Sequence, residues 1–365
     1  MDKTSLRNIP HITELKAIAI FFIALTHYSQ MFSTTFIDEV LAMGQMGCQF
    51  FLVVSCFTLS VSQEMEPKSY RQFIIRRFQR ISIPWWLALI AYVLAGYGSM
   101  LLFKKNYFGT NIDPISILLN FVFLNGLLPF CNNNVVRGGW YIGTTVLLYL
   151  LHPFLFNIYK KSMEKCGKYL KVLFPSLLFC ICFPVLNVIS LNLPDAIENN
   201  TFWYFNVINQ LTCYSLGFIL YDFWKNDEFD KVHIPWIKCG LALLIGAVVF
   251  YSNWGVAPLL IPLLFGIVSV YLMIALMKSN MLSLQKLVGE KLNKIGKLSF
   301  SLYLTHLFVV WYFTRAIKYV LSRFIISEVL MFFIILPIAT VCCYFAAILF
   351  NRIVGMIESR VYSNR

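Results

Sequence analysis

Glu14-Leu-Lys-Ala-Ile-Ala-Ile-Phe-Phe-Ile-Ala-Leu-Thr-His27 is the stretch on which the fold turns. Between Lys16 and His27 no charged side chain interrupts the run, so a helix built from it has no face that water could wet along its middle. Its natural surroundings are a bilayer or a deep core, and length decides between them. The apolar run covers residues 12–32, close to the roughly 20 residues that cross about 30 Å of hydrocarbon. It carries a histidine near its far end and lacks a small-x-small cleavage pattern, so it reads as a retained helix and not as a removed signal peptide.

The rest of the chain repeats the pattern. Of 365 residues, 59% are hydrophobic and 13% charged, and the mean hydropathy is +0.71. Ordinary soluble domains hold about 45 to 50% apolar and about 25% charged residues, which sets aside a soluble enzyme, a nucleic-acid-binding module and a disordered scaffold. Further apolar runs cover 44–62, 81–103, 114–130, 138–159, 172–193, 202–224, 237–252, 256–277, 298–318 and 326–351. The expectation is an all-α polytopic membrane protein, a single integral membrane domain over 1–365 with no separate soluble domain. The ten cysteines lie mostly inside these runs without paired CxxC spacing, so they read as free thiols and not as a zinc or disulfide framework.

Lysine and arginine gather on cytoplasmic flanks, and this decides whether 114–130 crosses. That segment is the weakest, with Asn120, Asn125 and Pro129 inside it and Cys131-Asn-Asn-Asn134 after it. If it dips without crossing, 24 Lys and Arg face the cytoplasm against 6 outside; if it crosses, the split becomes 12 against 18. The first arrangement predicts about ten transmembrane helices, a re-entrant segment near 114–130 and both termini cytoplasmic. The net charge of +13 is then accounted for by orientation and anionic lipid, with no call for a nucleic acid.

Polar groups at membrane depth are costly and mark candidate sites. Lys16 and His27 are eleven residues apart, three turns plus about 20°, so they share one helix face about 16 Å apart along the axis. Taken singly they read equally as a snorkelling lysine and a packing histidine. Arg76, Arg77 and Arg80 stand at the cytoplasmic start of the third helix, where guanidinium forks suit phosphate oxygens and ordinary positive flanking is the plain alternative. His306 falls near the middle of the ninth span, and Trp140 opens a helix that runs through Tyr149 to His152-Pro153, a pattern also typical of an interfacial aromatic anchor.

In this order the segments resemble acyltransferase family 3, integral membrane proteins that O-acylate bacterial surface glycans. Lys16 and His27 resemble that family's basic residue and histidine on the first helix, where arginine is more usual. Gly47-Cys-Gln-Phe-Phe-Leu-Val-Val-Ser-Cys-Phe57 is similar to its second-helix pattern, with Gln49 in place of an acid and Cys56 in place of glycine. Arg77-Phe-Gln-Arg80 followed by Pro84 resembles the RxxR segment associated with acyl-CoA. Trp140 to Tyr149 resembles the Trp-led helix, with Thr145 where many members carry glutamate, and Ser299-Phe-Ser-Leu-Tyr303-Leu-Thr-His306 resembles the histidine-ending segment of a late helix.

The resemblance implies an O-acyltransferase, in the first instance an O-acetyltransferase, of the bacterial cytoplasmic (inner) membrane. It implies acetyl-CoA or another acyl-CoA as donor substrate, a glycan hydroxyl as acceptor, and no bound cofactor or metal. It implies His27 and His306 as catalytic residues, Lys16, Arg76, Arg77 and Arg80 for the donor, and Trp140, Tyr149 and Tyr303 for the acceptor. A proton-coupled transporter or flippase of a glycan or lipid is the rival reading, since many-helix architecture alone suits both.

Overall fold

The computed structural model describes residues 11–32, 34–104, 112–128, 131, 133–166, 170–191, 204–252, 257–278 and 289–362. Among these the secondary structure is helical and no strand occurs. Six stretches are long and apolar enough to cross a membrane: Ile12–Ser29, Ile37–Met65, Tyr70–Leu102, Trp140–Glu164, Ala257–Lys278 and Glu328–Tyr362. Two shorter apolar helices, Leu173–Leu186 and Pro235–Phe250, add to them. A helix satisfies its backbone polar groups within one segment, which is why hydrocarbon surroundings select it so uniformly.

In chain order the helices are α1 (Ile12–Ser29), α2 (Thr35–Ala42), α3 (Gly47–Met65), α4 (Tyr70–Phe103) and α5 (Pro114–Phe121). They continue with α6 (Trp140–Cys166), α7 (Leu170–Leu191), α8 (Val207–Ser215), α9 (Gly217–Lys225) and α10 (Pro235–Phe250). The last are α11 (Ala257–Lys278), α12 (Glu290–Lys297), α13 (Ser299–Phe308), α14 (Arg315–Leu321) and α15 (Glu328–Tyr362). Most follow the apolar runs. The main difference is α4, which starts at Tyr70, so that Arg76, Arg77 and Arg80 lie inside the helix and not at its opening.

The weak segment behaves as its polar residues demand. Asp113 caps α5, its Oδ1 accepting the Ser116 backbone N–H at 2.8 Å with Pro114 in the first turn. These hydrogen bonds hold the Asp113 carboxyl below its ordinary pKa. The helix stops at Phe121, and Phe123 turns the chain through a left-handed φ of 63°. Eight residues rise only about 12 Å, far short of a crossing. Asn120 donates to Ser116 O and Cys131 O, and the fully buried Asn125 donates to Gly139 O at 2.8 Å. Here the chain passes so close to α6 that a Cβ on Gly126 or Gly143 would overlap the other's backbone.

Contacts divide the chain into two compact units. One contains Cys48–Phe78 and Asn111–Met281; the other contains Ile12–Gly47, Gln79–Thr110 and Leu282–Arg365. Within the first, α3 and α6 to α11 pack around Phe57, Tyr159, Phe218 and Phe265, all under 2% exposed. Glu64 ties this unit together by ion pairs to Lys160 at 2.6 Å and Lys225 at 3.0 Å.

In the second unit α1 packs on α12, α13 and α15. Tyr28, Phe32, Val310, Met331, Phe332, Ile335 and Ala339 form its core, and the Tyr28 hydroxyl donates to Phe332 O at 2.7 Å. Lys318 closes the turn between α14 and α15. It pairs with Glu328 at 2.7 Å, donates to Met31 O at 2.8 Å and lies over the Phe32 ring. At the other end α12 touches α1 through Gly296, where any side chain would overlap Thr13 O. Between α13 and α14 the rod takes π-helical turns over Val309–Thr314.

Candidate active site

The second unit brings His27 of α1 and His306 of α13 together. Their ring centroids are 5.4 Å apart with the planes inclined at 34°. His27 is half-buried, and its Nδ1 lies 3.4 Å from Gln30 Oε1. His306 is 1% exposed. Its Nδ1 sits 2.8 Å from Tyr303 O and 3.1 Å from Leu302 O. Carbonyl oxygens only accept, so Nδ1 carries the proton and Nε2 of the neutral ring bears a lone pair. That buried Nε2 has no hydrogen-bond partner among the described residues. An unpaired acceptor in a buried position costs about 1 to 3 kcal/mol, and such groups in a native structure call for an explanation.

The other candidates divide between the units. Lys16 is half-buried on α1 and lies within electrostatic reach of Arg80 on α4, which in turn acts on Glu358 of α15. Arg80 is exposed and belongs to the second unit. Arg76 and Arg77 belong to the first. Arg76 is exposed; Arg77 is half-buried, with its guanidinium 5.7 Å from the Phe73 ring centroid. Tyr303, 8% exposed, places its ring 5.8 Å from that of His306.

Trp140 and Tyr149 lie in the first unit on α6. Trp140 is buried, stacked on Phe205 at 4.7 Å and flanked edge-on by Tyr141 and Tyr204. Tyr149 is half-buried. Gln49, at the position read from the sequence as replacing an acid, is wholly buried and satisfied. It accepts from the Tyr204 hydroxyl at 2.8 Å and donates to Gln210 Oε1 at 3.2 Å.

Two buried ionisable side chains, His152 and Asp222, are not among the candidates read from the sequence. His152 is fully buried, stacked with Phe73, Phe156 and Phe218, its Nδ1 2.9 Å from the Tyr214 hydroxyl. Asp222 on α9 is 4% exposed. Asp222 stands close to the end of the apolar run 202–224, where a charged flank is expected. The only sequence signal was its setting between Tyr221 and Phe223. Among the described residues no three His, Cys, Asp or Glu side chains gather as metal ligands, and nine cysteines are free thiols.

The fold and the facing imidazoles define a polytopic helical membrane protein with, in one of its two units, a buried imidazole nitrogen that no hydrogen bond satisfies among the described residues. A family model described as an acyltransferase domain matches residues 12–348. The chain therefore belongs to acyltransferase family 3 and is a membrane acyltransferase. No curated protein and no solved structure matched the chain significantly.

Proposed function

We propose that the protein transfers an acyl group, acetyl in the first instance, from cytoplasmic acyl-CoA to a hydroxyl of a surface or lipid-linked glycan. The setting is the bacterial cytoplasmic membrane, with both termini on the cytoplasmic side. The observation that carries this reading is the bare Nε2 of His306 beside His27.

A hydroxyl attacking a thioester must shed its proton as the C–O bond forms. In this reading the imidazole pair takes that proton, the C–S bond breaks, and the proton passes to the departing CoA thiolate to leave the free thiol. Histidine suits the task because the unprotonated nitrogen of a neutral imidazole can take up a proton. Tyr303, beside His306, together with Trp140 and Tyr149 on α6, is assigned to the acceptor.

The donor end rests on cations. Lys16 and Arg80, with Arg76 and Arg77 on the same helix as Arg80, are assigned to the CoA phosphates. Lys16 lies about 16 Å along α1 from His27, a separation suited to an extended pantetheine arm. Only the acyl group would then have to travel toward the far leaflet. The charge-assisted contacts would hold the thioester near the imidazoles, which lowers the entropic part of the barrier.

Donor binding tests this reading directly. Acetyl-CoA, with free CoA as control, is titrated into detergent-solubilised wild type and an Arg77→Ala/Arg80→Ala variant while thermal unfolding is followed. A ligand that binds only the folded state stabilises it by RT ln(1 + [L]/Kd). The expected result is stabilisation of the wild type that the variant loses. An unchanged wild-type transition at millimolar acetyl-CoA would count against a CoA donor.

A further inference from the structure

The second unit holds a cavity of about 570 Å³ that shares His306 with the assignments above and is otherwise lined by residues they do not use. It runs along one face of α1 from Ala17 to Tyr28, with α12, α13 and α15 supplying the other walls. The eleven steps from Ala17 to Tyr28 make it about 16 Å long, close to half of the roughly 30 Å hydrocarbon thickness. Phe21, Leu25, Leu302, Leu336 and Val310 give it an apolar wall, which His306 interrupts from α13. Phe21 and Ile18 at its edge are 43% and 40% exposed, so the cavity is a groove open on the outer surface of the unit.

One end is different. There α12 reads Glu290-Lys-Leu-Asn-Lys-Ile-Gly-Lys297, and Lys291 and Lys294 line the groove beside Leu292 and Ile295. Both lysines are exposed and neither is in an ion pair among the described residues. Lys294 and Lys297 also border a neighbouring recess with Glu14, Glu290 and Asn293. Glu14 accepts from Asn293 at 3.4 Å. Three lysines against two carboxylates leave this end cationic. An alkyl-lined groove one leaflet long, ending in unpaired lysines on an amphipathic helix, is complementary to one kind of molecule.

We infer that this groove binds an anionic phospholipid, its phosphate at Lys291 and Lys294 and one acyl chain laid along α1 toward His306. A zwitterionic lipid would fill the apolar part equally well but would forfeit the net charge attraction. A second copy of the chain would leave the lysines facing each other across a two-fold interface unless it brought acidic residues to them.

The test uses the full-length protein in detergent and native mass spectrometry with two probes, phosphatidylglycerol and phosphatidylethanolamine of identical chains. Phosphatidylglycerol is expected to be retained at least tenfold more tightly. A Lys291→Gln/Lys294→Gln variant, altered only at exposed positions, should bind it roughly ten- to thirtyfold more weakly. A Thr340→Trp variant, which fills the groove from an exposed position on its wall, should lose both lipids while its lipid-free thermal transition stays at the wild-type value. Equal retention of the two lipids would overturn the inference, as would undiminished binding in either variant. So would a polyprenyl phosphate that displaces phosphatidylglycerol at equal concentration, or cross-linking between copies through a cysteine placed at position 340.

Discussion

The rings of His27 and His306 face each other at 5.4 Å, one from the first helix and one from the third-last. With the proton of His306 fixed on Nδ1 by two carbonyls of its own helix, the lone pair on Nε2 is the only basic atom this ring offers. The contact joins two distant parts of the chain, and the proposed function uses it as one proton-accepting centre.

The first prediction concerns that pairing. A positioned general base contributes about 10² to 10⁴ in rate, so His27→Ala and His306→Ala should each lower transfer by about that factor. If both serve one proton transfer, as proposed, the double variant should lose little more than the worse single one. Turnover of labelled acetyl-CoA, checked against unchanged membrane insertion and elution profile, tests both statements. Additive losses would show two independent roles.

The second concerns the donor end. On the proposed donor assignment, Lys16→Ala and Arg80→Ala each remove one charged partner of a phosphate, about 1.5 to 3 kcal/mol where the contact is made. Solvent screening at the exposed Arg80 favours the low end of that range. The expected outcome is a rise of about tenfold in KM for acyl-CoA with kcat little changed, and partial recovery in Arg80→Lys. A fall confined to kcat would place these cations with the chemistry instead.

The third concerns close backbone contact. Gly143→Ala forces apart two segments that touch through Gly126 and Asn125, and overpacking of this kind costs about 1 to 3 kcal/mol. Gly98 lies inside α4 with open space around its would-be Cβ, so Gly98→Ala should be neutral or stabilising by about 0.5 to 1 kcal/mol. Thermal unfolding of the two variants should shift in opposite directions.

The fourth concerns Asp113. Removing an N-cap carboxylate costs about 1 kcal/mol, so Asp113→Ala should lower stability by that amount at pH 7. The carboxyl is held below its ordinary value in the folded protein, so its contribution is fully present above the unfolded pKa of about 3.9. It fades as pH falls through the lower folded value. The gap between wild type and Asp113→Ala should therefore narrow at strongly acidic pH, read from paired unfolding curves.

The fifth concerns the staple beside the site. Tyr28 follows His27 and donates to Phe332 O of α15. Tyr28→Phe should cost about 0.5 to 1.5 kcal/mol of stability. It should also weaken transfer by less than His27→Ala does, since it loosens the seat of the imidazole without removing it.

Membrane residence, the helical class and most helix positions were written in the sequence. Each depends on a segment by itself: hydrocarbon admits a run of about 20 apolar residues only if its backbone bonds are closed locally. The same logic made 114–130 suspect, since Asn120 and Asn125 need partners that only a short, bent segment could find. Lys16 and His27 were legible as a shared face because helical spacing is also a local property.

What only the tertiary structure decided is which helix faces which. Composition does not say that α13 lies against α1, so neither the contact of His27 with His306 nor the bare Nε2 could be derived from spacing. Trp140 read as an interfacial aromatic anchor from the sequence, while the fold packs Phe205, Tyr204 and Tyr141 around it. His152 and Asp222 looked unremarkable until burial singled them out. Burial and ring contact are properties of packing between segments far apart in the chain, and hydrophobicity, which drives that packing, is non-directional and does not choose the partner.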